Sequence, residues 1–107
     1  MDGIFGADWW LLYQGILPYN YITEKEALDK GWKSWQGNLS KVAPGMIITK
    51  GIYENRKDKL PNVPGRIWYE ADINYTKGFR GLERILFSND GLIFVTYDHY
   101  GTFVEII

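Results

Sequence analysis

A glutamate, two arginines and a histidine in the second half of the chain have the side-chain chemistry of a phosphoryl-transfer site. Glu70 offers a carboxylate, Arg80 and Arg84 offer guanidinium groups four residues apart, and His99 is the only histidine. A carboxylate and an imidazole can act as base and acid, and guanidinium groups stabilise the negative charge that develops on phosphorus. These residue types are what phosphoryl transfer without a metal ion requires.

Taken singly, the same residue types usually have structural roles. A glutamate on a strand is most often a solvated carboxylate, and two arginines four residues apart are most often surface residues in salt bridges. Asp72 is the expected counter-ion of both arginines, holding their guanidinium groups in place without reacting itself. Sequence spacing alone does not bring these side chains together in space.

The element that must position Glu70 is a strand predicted over residues 67 to 73, where the residue pattern alternates. Side chains along a strand point to opposite faces with a period of two. The alternation predicts a buried face with Ile67, Tyr69, Ala71 and Ile73. It predicts an open face that carries an indole and two carboxylates, from Trp68, Glu70 and Asp72.

Helical patterns precede strand patterns along the chain. Helices are predicted over residues 3 to 16, from the Thr23–Glu26 capping box to Gly31, and over residues 39 to 43 with Asn38 as the cap. Strands are predicted over residues 46 to 53, 67 to 73, 82 to 88, 91 to 96 and 102 to 106, with a hairpin turn at Asp90-Gly91. This order predicts one α+β domain over residues 1 to 107, with N-terminal helices packed on a five-stranded antiparallel sheet.

The first predicted helix is apolar on two sides. One stripe contains Ile4, Ala7, Trp10, Leu11 and Gln14. The other contains Trp9, Leu12, Tyr13 and Ile16. The second stripe is either additional core or a surface for self-association or for a partner.

Composition excludes several kinds of site. The 107 residues include no cysteine, which excludes disulfides, thiolate catalysis and thiolate metal ligands. A single histidine and the lack of a clustered acidic loop argue against a structural metal, and no apolar window is long enough to cross a membrane. Net charge is −1, but residues 50 to 84 hold eight basic and five acidic side chains. A basic centre in an acidic chain suits a short nucleic-acid site.

Several short motifs occur in a fixed order around the candidate residues. They are WYEADINYT at 68–76, GFR at 78–80, RIL at 84–86 and YDHY at 97–100, preceded by LP at 17–18, NYIT at 20–23, GW at 31–32, GNL at 37–39, VAPG at 42–45, NR at 55–56 and KLP at 59–61. Together they cover residues 17 to about 106. The sequence resembles the bacterial guanyl-specific ribonucleases of the barnase type, whose members are generally more basic.

The resemblance implies an endoribonuclease that needs no metal and no cofactor. It would cleave single-stranded RNA by transesterification to a 2′,3′-cyclic phosphate, which is then hydrolysed. The resemblance implies Glu70 as the base, His99 as the acid, Arg80 and Arg84 as the stabilising cations, and Asp72 as their support. It also implies a barstar-like protein inhibitor as a partner.

The resemblance further implies secretion, although the sequence has no signal peptide. Asp2 and Asp8 occupy the place of the basic region that begins such a peptide. We expect either a secreted mature form with an added Met1 or a protein that stays inside the cell.

The implied substrate-binding residues include two departures from the family pattern. Asn55 and Arg56 shape the loop that the family uses for guanine, but Lys57 replaces a carboxylate there, and a protonated amine cannot accept hydrogen bonds from guanine. Glu24 replaces a lysine that faces the phosphate. Tyr100 can offer a ring for stacking with any base. We expect relaxed guanine preference and weakened phosphate binding.

Two other functions stay open at this point. A catalytically weakened or redesigned scaffold could bind RNA or a protein through the cleft and the first helix. A purely structural domain is the third possibility. The presence of all four candidate catalytic residues favours the enzyme, because drift without selection for activity has no reason to spare all of them.

Overall fold

The computed structural model of the chain describes residues 6 to 106, in which short helices precede a six-stranded sheet. The helices are α1 (Ala7–Gln14), α2 (Glu24–Asp29) and α3 (Leu39–Val42), with a single 3-10 turn at Ser34–Gln36. The strands are β1 (Tyr21–Thr23), β2 (Ile47–Tyr53), β3 (Trp68–Asp72), β4 (Arg84–Ser88), β5 (Ile93–Thr96) and β6 (Val104–Glu105). The predicted α+β class is confirmed.

The strands follow one another across the sheet in chain order. From β2 to β6 every neighbouring pair is antiparallel, as predicted, and Glu70 in β3 lies opposite Leu86 in β4. The sixth strand, β1, was not predicted. It pairs with β2 in parallel, so that Thr23 lies opposite Thr49, and it makes the sheet mixed. A three-residue strand is too short to show an alternating pattern.

Helix α1 contributes one side to the core. It starts after Gly6, carries Asp8 in its first turn and ends at Gly15, whose left-handed backbone (φ 72°) lets its N–H donate to the carbonyl of Leu11. Ala7 and Leu11 are buried against the sheet. The predicted start at residue 3, and with it Ile4, lies outside the described residues. The second stripe is largely exposed, at Leu12, Tyr13 and Ile16.

Helices α2 and α3 enclose a second apolar cluster with β1 and β2. The predicted capping box of α2 is confirmed, because Thr23 Oγ1 accepts from the N–H of Glu26 at 3.1 Å and the Glu26 carboxylate accepts from the N–H of Thr23 at 3.0 Å. Asn38 does not cap α3 with its side chain, as was predicted. Its amide instead bridges the N–H of Lys33 and the carbonyl of Gly31, so it fixes the connection from α2.

Both faces of β3 are covered, so the predicted open face is wrong. Trp68 packs with Leu60 and Leu86 in a third cluster, and both Trp68 and Asp72 are only 2 % exposed. The long connection after β2 folds back over this face and brings Leu60 onto it, which the alternation alone could not predict. On the other face Ile67, predicted to be buried, is exposed. Glu70 keeps partial contact with solvent.

The predicted hairpin between β4 and β5 is confirmed. The N–H of Ser88 donates to the carbonyl of Leu92 at 2.9 Å, and Gly91 takes a left-handed backbone with φ 98°. Arg66 forms an ion pair with Asp90 beside the turn, with Nη2 2.9 Å from Oδ2. This pair, expected to be purely structural, joins the start of β3 to the hairpin.

Candidate active site

A cavity of about 610 Å³ beside β2 and β3 brings the candidate base and acid together. Glu70 reaches it from the middle of β3, and His99 reaches it from the loop between β5 and β6. Tyr100 and the segment after β2 line the same cavity. Residues that are far apart in sequence therefore face a common space large enough for part of a nucleotide.

Tyr100 contacts both candidate catalytic residues. Its hydroxyl donates to Glu70 Oε1, and its ring lies edge-on to the His99 imidazole, with 4.8 Å between ring centres. It also stacks on Tyr53 at 5.2 Å and 10°. Burial, followed by the hydrogen bond to Glu70, raises the pKa of Tyr100. The hydroxyl therefore stays protonated and donates to Glu70.

Asp98 organises the loop that carries His99 and Tyr100. Its carboxylate accepts from the N–H and hydroxyl of Thr102, at 2.8 and 2.9 Å, and from the hydroxyl of Thr96 at 2.9 Å. These hydrogen bonds, with the Thr102 N–H first, lower the pKa of Asp98 to about 2. His99 and Tyr100 follow with φ values of 56° and 73°. The conformation aims both side chains at the cavity.

Two contacts from outside the loop add to this arrangement. The N–H of His99 donates to the carbonyl of Leu82 at 3.0 Å. The ammonium group of Lys59 donates to the carbonyls of Tyr100 and Gly101, at 3.1 and 3.2 Å. The position of the imidazole is thus determined by backbone contacts on either side of it.

Asp72 contacts both arginines at the end of β3. Arg80 donates to it with two nitrogens, Nε to Oδ2 at 2.5 Å and Nη2 to Oδ1 at 2.7 Å. Arg84 Nε lies 3.1 Å from Oδ1, and Arg84 Nη1 donates to the carbonyls of Gly81 and Glu83. The hydrogen bonds to Asp72 raise the pKa of Arg80. Both guanidinium groups are therefore charged and held in one orientation.

The arginines lie beside the cavity, and Glu24 lies near them. Arg84 acts on Tyr100 by lowering the pKa that burial and Glu70 raise. Arg80 feels the charges of Glu24 and Tyr100, which add to the effect of Asp72 on its pKa. Glu24, at the start of α2 and half-buried, thus acts electrostatically on the cationic side of the site.

The segment after β2 forms the opposite wall of the cavity. Asn55 is 6 % exposed, and its amide both donates to the carbonyl of Leu60 and accepts from its N–H, at 3.1 and 3.2 Å. Its side chain is therefore used within the loop. Arg56 is exposed and paired with Glu54. Lys57 lines the cavity.

Some residues of the cavity were missed by the sequence prediction. They are Lys50, Tyr53, Glu54 and Lys59. Lys50 and Lys59 belong to the basic stretch that the charge distribution had marked, but nothing in their spacing placed them beside Glu70. Within residues 6 to 106, no group of three His, Cys, Asp or Glu side chains is arranged to hold a metal ion. No helix in this part of the chain has the length and apolarity needed to cross a membrane.

Comparison with known proteins agrees with these features. The family model described as ribonuclease matches residues 13 to 107. A ribonuclease of Heyndrickxia coagulans is 48 % identical over 105 residues, which cover 98 % of this chain and 94 % of that protein. Ribonucleases of Bacillus intermedius and Bacillus pumilus are also 48 % identical over 105 residues, and the chain spans 63 % of the length of each. The chain belongs to the ribonuclease family.

Proposed function

We propose that this protein is an endoribonuclease that cleaves single-stranded RNA without a metal ion or cofactor. The observation that carries the proposal is the shared cavity of Glu70 and His99, linked by Tyr100 and bordered by the Asp72-held arginines. RNA contains its own nucleophile, the 2′-hydroxyl, so the protein needs only an acid, a base and positive charge. All three lie around one cavity.

In the proposed first step, Glu70 takes the proton of the 2′-hydroxyl as this oxygen attacks the adjacent phosphorus. Tyr100 binds Oε1 of Glu70, which fixes the carboxylate and leaves Oε2 for the substrate. His99 gives a proton to the 5′-oxygen as the P–O bond breaks, and the product ends in a 2′,3′-cyclic phosphate. In the second step Glu70 and His99 exchange roles, and water opens the cyclic phosphate.

Arg80 and Arg84 would stabilise the negative charge on the phosphorane. Pre-oriented charges act most strongly where they need no rearrangement during the reaction. Asp72 holds two nitrogens of Arg80 and contacts Arg84, so it would act as a positioning residue for both.

We infer weak base selectivity. Lys57 lines the cavity where an acceptor for guanine would be needed, and Arg56 is paired with the nearby carboxylate of Glu54. Asn55 would contribute through the shape of the loop, which can present backbone N–H groups to a base. The ring of Tyr100 would add stacking that any base can use.

A barstar-like protein inhibitor is the proposed macromolecular partner. An acidic surface would be attracted to the basic rim of the cavity. Glu24 would oppose this attraction, so we expect weaker binding than the family pattern implies. Secretion in a mature form stays a prediction from the resemblance.

The decisive assay follows cleavage of polymeric RNA by purified protein in EDTA. His99→Ala and Glu70→Ala should each reduce turnover by at least ~100-fold, the usual effect of losing a positioned acid or base. A DNA oligonucleotide of the same sequence should stay intact, because it lacks the 2′-hydroxyl. Lys41→Ala, on exposed α3, is the matched control and should cleave normally.

Two outcomes would reject parts of this proposal. Unchanged cleavage by both variants would reject the assigned mechanism. RNA binding without any cleavage by the unmodified protein would favour the alternative, a binding module with a weakened site.

Self-association through α1 is a separate proposal. Leu12, Tyr13 and Ile16 are 41 %, 68 % and 59 % exposed, and Trp9 packs on the ring of Tyr13 at 5.4 Å. Such a patch favours association between copies. Sedimentation over a wide concentration range should reveal a dimer that Leu12→Lys and Tyr13→Lys together abolish. A monomer at all concentrations would contradict this prediction.

A further inference from the structure

A β-bulge in β2 lies directly opposite Glu70. Thr49 pairs with Ala71 and Gly51 pairs with Glu70, so one step along β3 corresponds to two steps along β2. Lys50 is the extra residue. The hydroxyl of Thr49 donates to the carbonyl of Glu70 at 3.2 Å, which fixes the two strands at this point.

The bulge directs Lys50 to the same space as Glu70. In a regular strand, neighbouring side chains point to opposite faces, whereas a bulge places two residues opposite one and re-aims a side chain. Lys50, Glu70 and His99 accordingly line one cavity. Gly51 leaves the space in front of Glu70 open, because it has a left-handed backbone (φ 81°) and a Cβ at this position would contact nothing within 4 Å.

Lys50 is also next to Glu24 across the β1–β2 pair. Thr23 and Thr49 are opposite each other, and Glu24 and Lys50 are the residues that follow them. Glu24 acts on Arg80, so this corner of the sheet faces the cationic side of the site. Lys50 is exposed and, among residues 6 to 106, forms no ion pair within 4 Å. Its charge is available to a ligand.

We propose that Lys50 binds the phosphate that lies between Glu70 and His99. The lysine would enter from β2, one strand away from the start of α2, and would offset the carboxylate of Glu24. This inference rests on the proposed function, since it assumes that the cavity receives an RNA phosphate. It assigns a phosphate-binding residue to a position that the motif-based prediction did not include.

The sharpest probe is a deoxyribose dinucleoside monophosphate. It has one phosphate and no 2′-hydroxyl, so it binds without being cleaved, and any lost charge contact concerns that phosphate. Lys50→Ala should weaken binding about fivefold at low salt and reduce the slope of log affinity against log salt by about 0.7, the value for one contact to a single strand. Lys50→Arg should keep both quantities close to those of the unmodified protein.

Lys41→Ala is the control for the loss of a positive charge elsewhere, and it should bind like the unmodified protein. Melting temperatures of all variants should agree within error, because Lys50 is exposed. Unchanged affinity and slope in Lys50→Ala would overturn the proposal. Weaker binding with an unchanged slope would also overturn it, because the lysine would then act through structure and not through charge.

Kinetics separate this proposal from the proposed function. On an RNA dinucleotide, Lys50→Ala should lower kcat/KM about tenfold, and the additional change Glu24→Lys should restore most of the loss. If the unmodified protein does not cleave RNA, the proposed function fails while the binding experiment still decides the role of Lys50. An equal gain from Glu24→Lys with and without Lys50 would overturn a shared phosphate, because independent sites contribute additively.

Discussion

The two walls of the cavity are built in opposite ways. On the arginine side, Asp72 and Arg84 are 2 % and 5 % exposed, and their charged groups contact each other directly. On the loop side, Arg56 and Lys57 are exposed, and the fold is maintained by Asn55. One wall fixes its charged side chains, whereas the other fixes only its backbone.

This difference determines which residues can be exchanged. A side chain in the arginine cluster cannot be replaced without leaving a buried charge unpaired, which costs several kcal/mol. A side chain on the loop can change while Asn55 keeps the loop in shape. Lys57, a departure from the family pattern, is on the tolerant wall. The catalytic cations are on the wall that resists change.

Removing Asp72 should have the largest effect on this comparison. Asp72→Ala leaves Arg84 buried and Arg80 without its bidentate partner, and we expect a loss of roughly 3–5 kcal/mol in the free energy of unfolding. RNA cleavage should fall at least ~100-fold, because the guanidinium groups lose their orientation. Urea unfolding and RNA cleavage measure the two effects.

Asp90→Ala is the matched control. It also removes a carboxylate paired with an arginine, but Asp90 is on an exposed hairpin away from the cavity. We expect a cost of about 1 kcal/mol or less and normal turnover. Equal losses of stability in the two variants would show that the Asp72 cluster is no more braced than an ordinary surface pair.

Glu24→Lys tests the edge of the arginine wall. A carboxylate some 5 to 6 Å from a phosphate repels it by roughly 3 kcal/mol at an effective dielectric of 20, less with water between. We expect kcat/KM on RNA to rise about tenfold. Glu24 is in the first turn of α2, where a negative charge favours the helix, so the change should cost about 0.3–1 kcal/mol in stability. Unchanged or slower cleavage would mean that Glu24 does not face the phosphate.

Lys57→Glu tests the tolerant wall and should have the smallest effect. It restores an acceptor for guanine at an exposed position, so stability should stay the same within about 0.5 kcal/mol. Initial rates on GpN and ApN dinucleotides should shift about fivefold toward guanine. A preference for guanine of several orders of magnitude in the unmodified protein would show that backbone donors or Asp58 already provide it.

The sequence predicted the order of the helices, five strands and the residues around the cavity. Local signals were sufficient for these, as at the Thr23–Glu26 capping box and the Asp90-Gly91 turn. The resemblance supplied the roles of Glu70 and His99, which their separation of 29 residues could not establish.

Features that depend on contacts between distant segments could not be predicted. Burial of Trp68 requires Leu60, which a loop without periodic pattern brings back onto the sheet. The bulge at Lys50 depends on the register between β2 and β3. The hydrogen bond from Tyr100 to Glu70 depends on the course of the loop after β5. None of these has a local signature in the sequence.

The loop after β5 places stability and activity in opposition. His99 and Tyr100 are consecutive residues with left-handed backbone, at φ 56° and 73°. Such strain costs of the order of 1–3 kcal/mol for each non-glycine residue, and glycine would relieve it. Yet glycine would remove the imidazole at one position and the hydroxyl at the other. Selection for a more stable chain would therefore favour an inactive protein here, and both side chains persist only under selection for function.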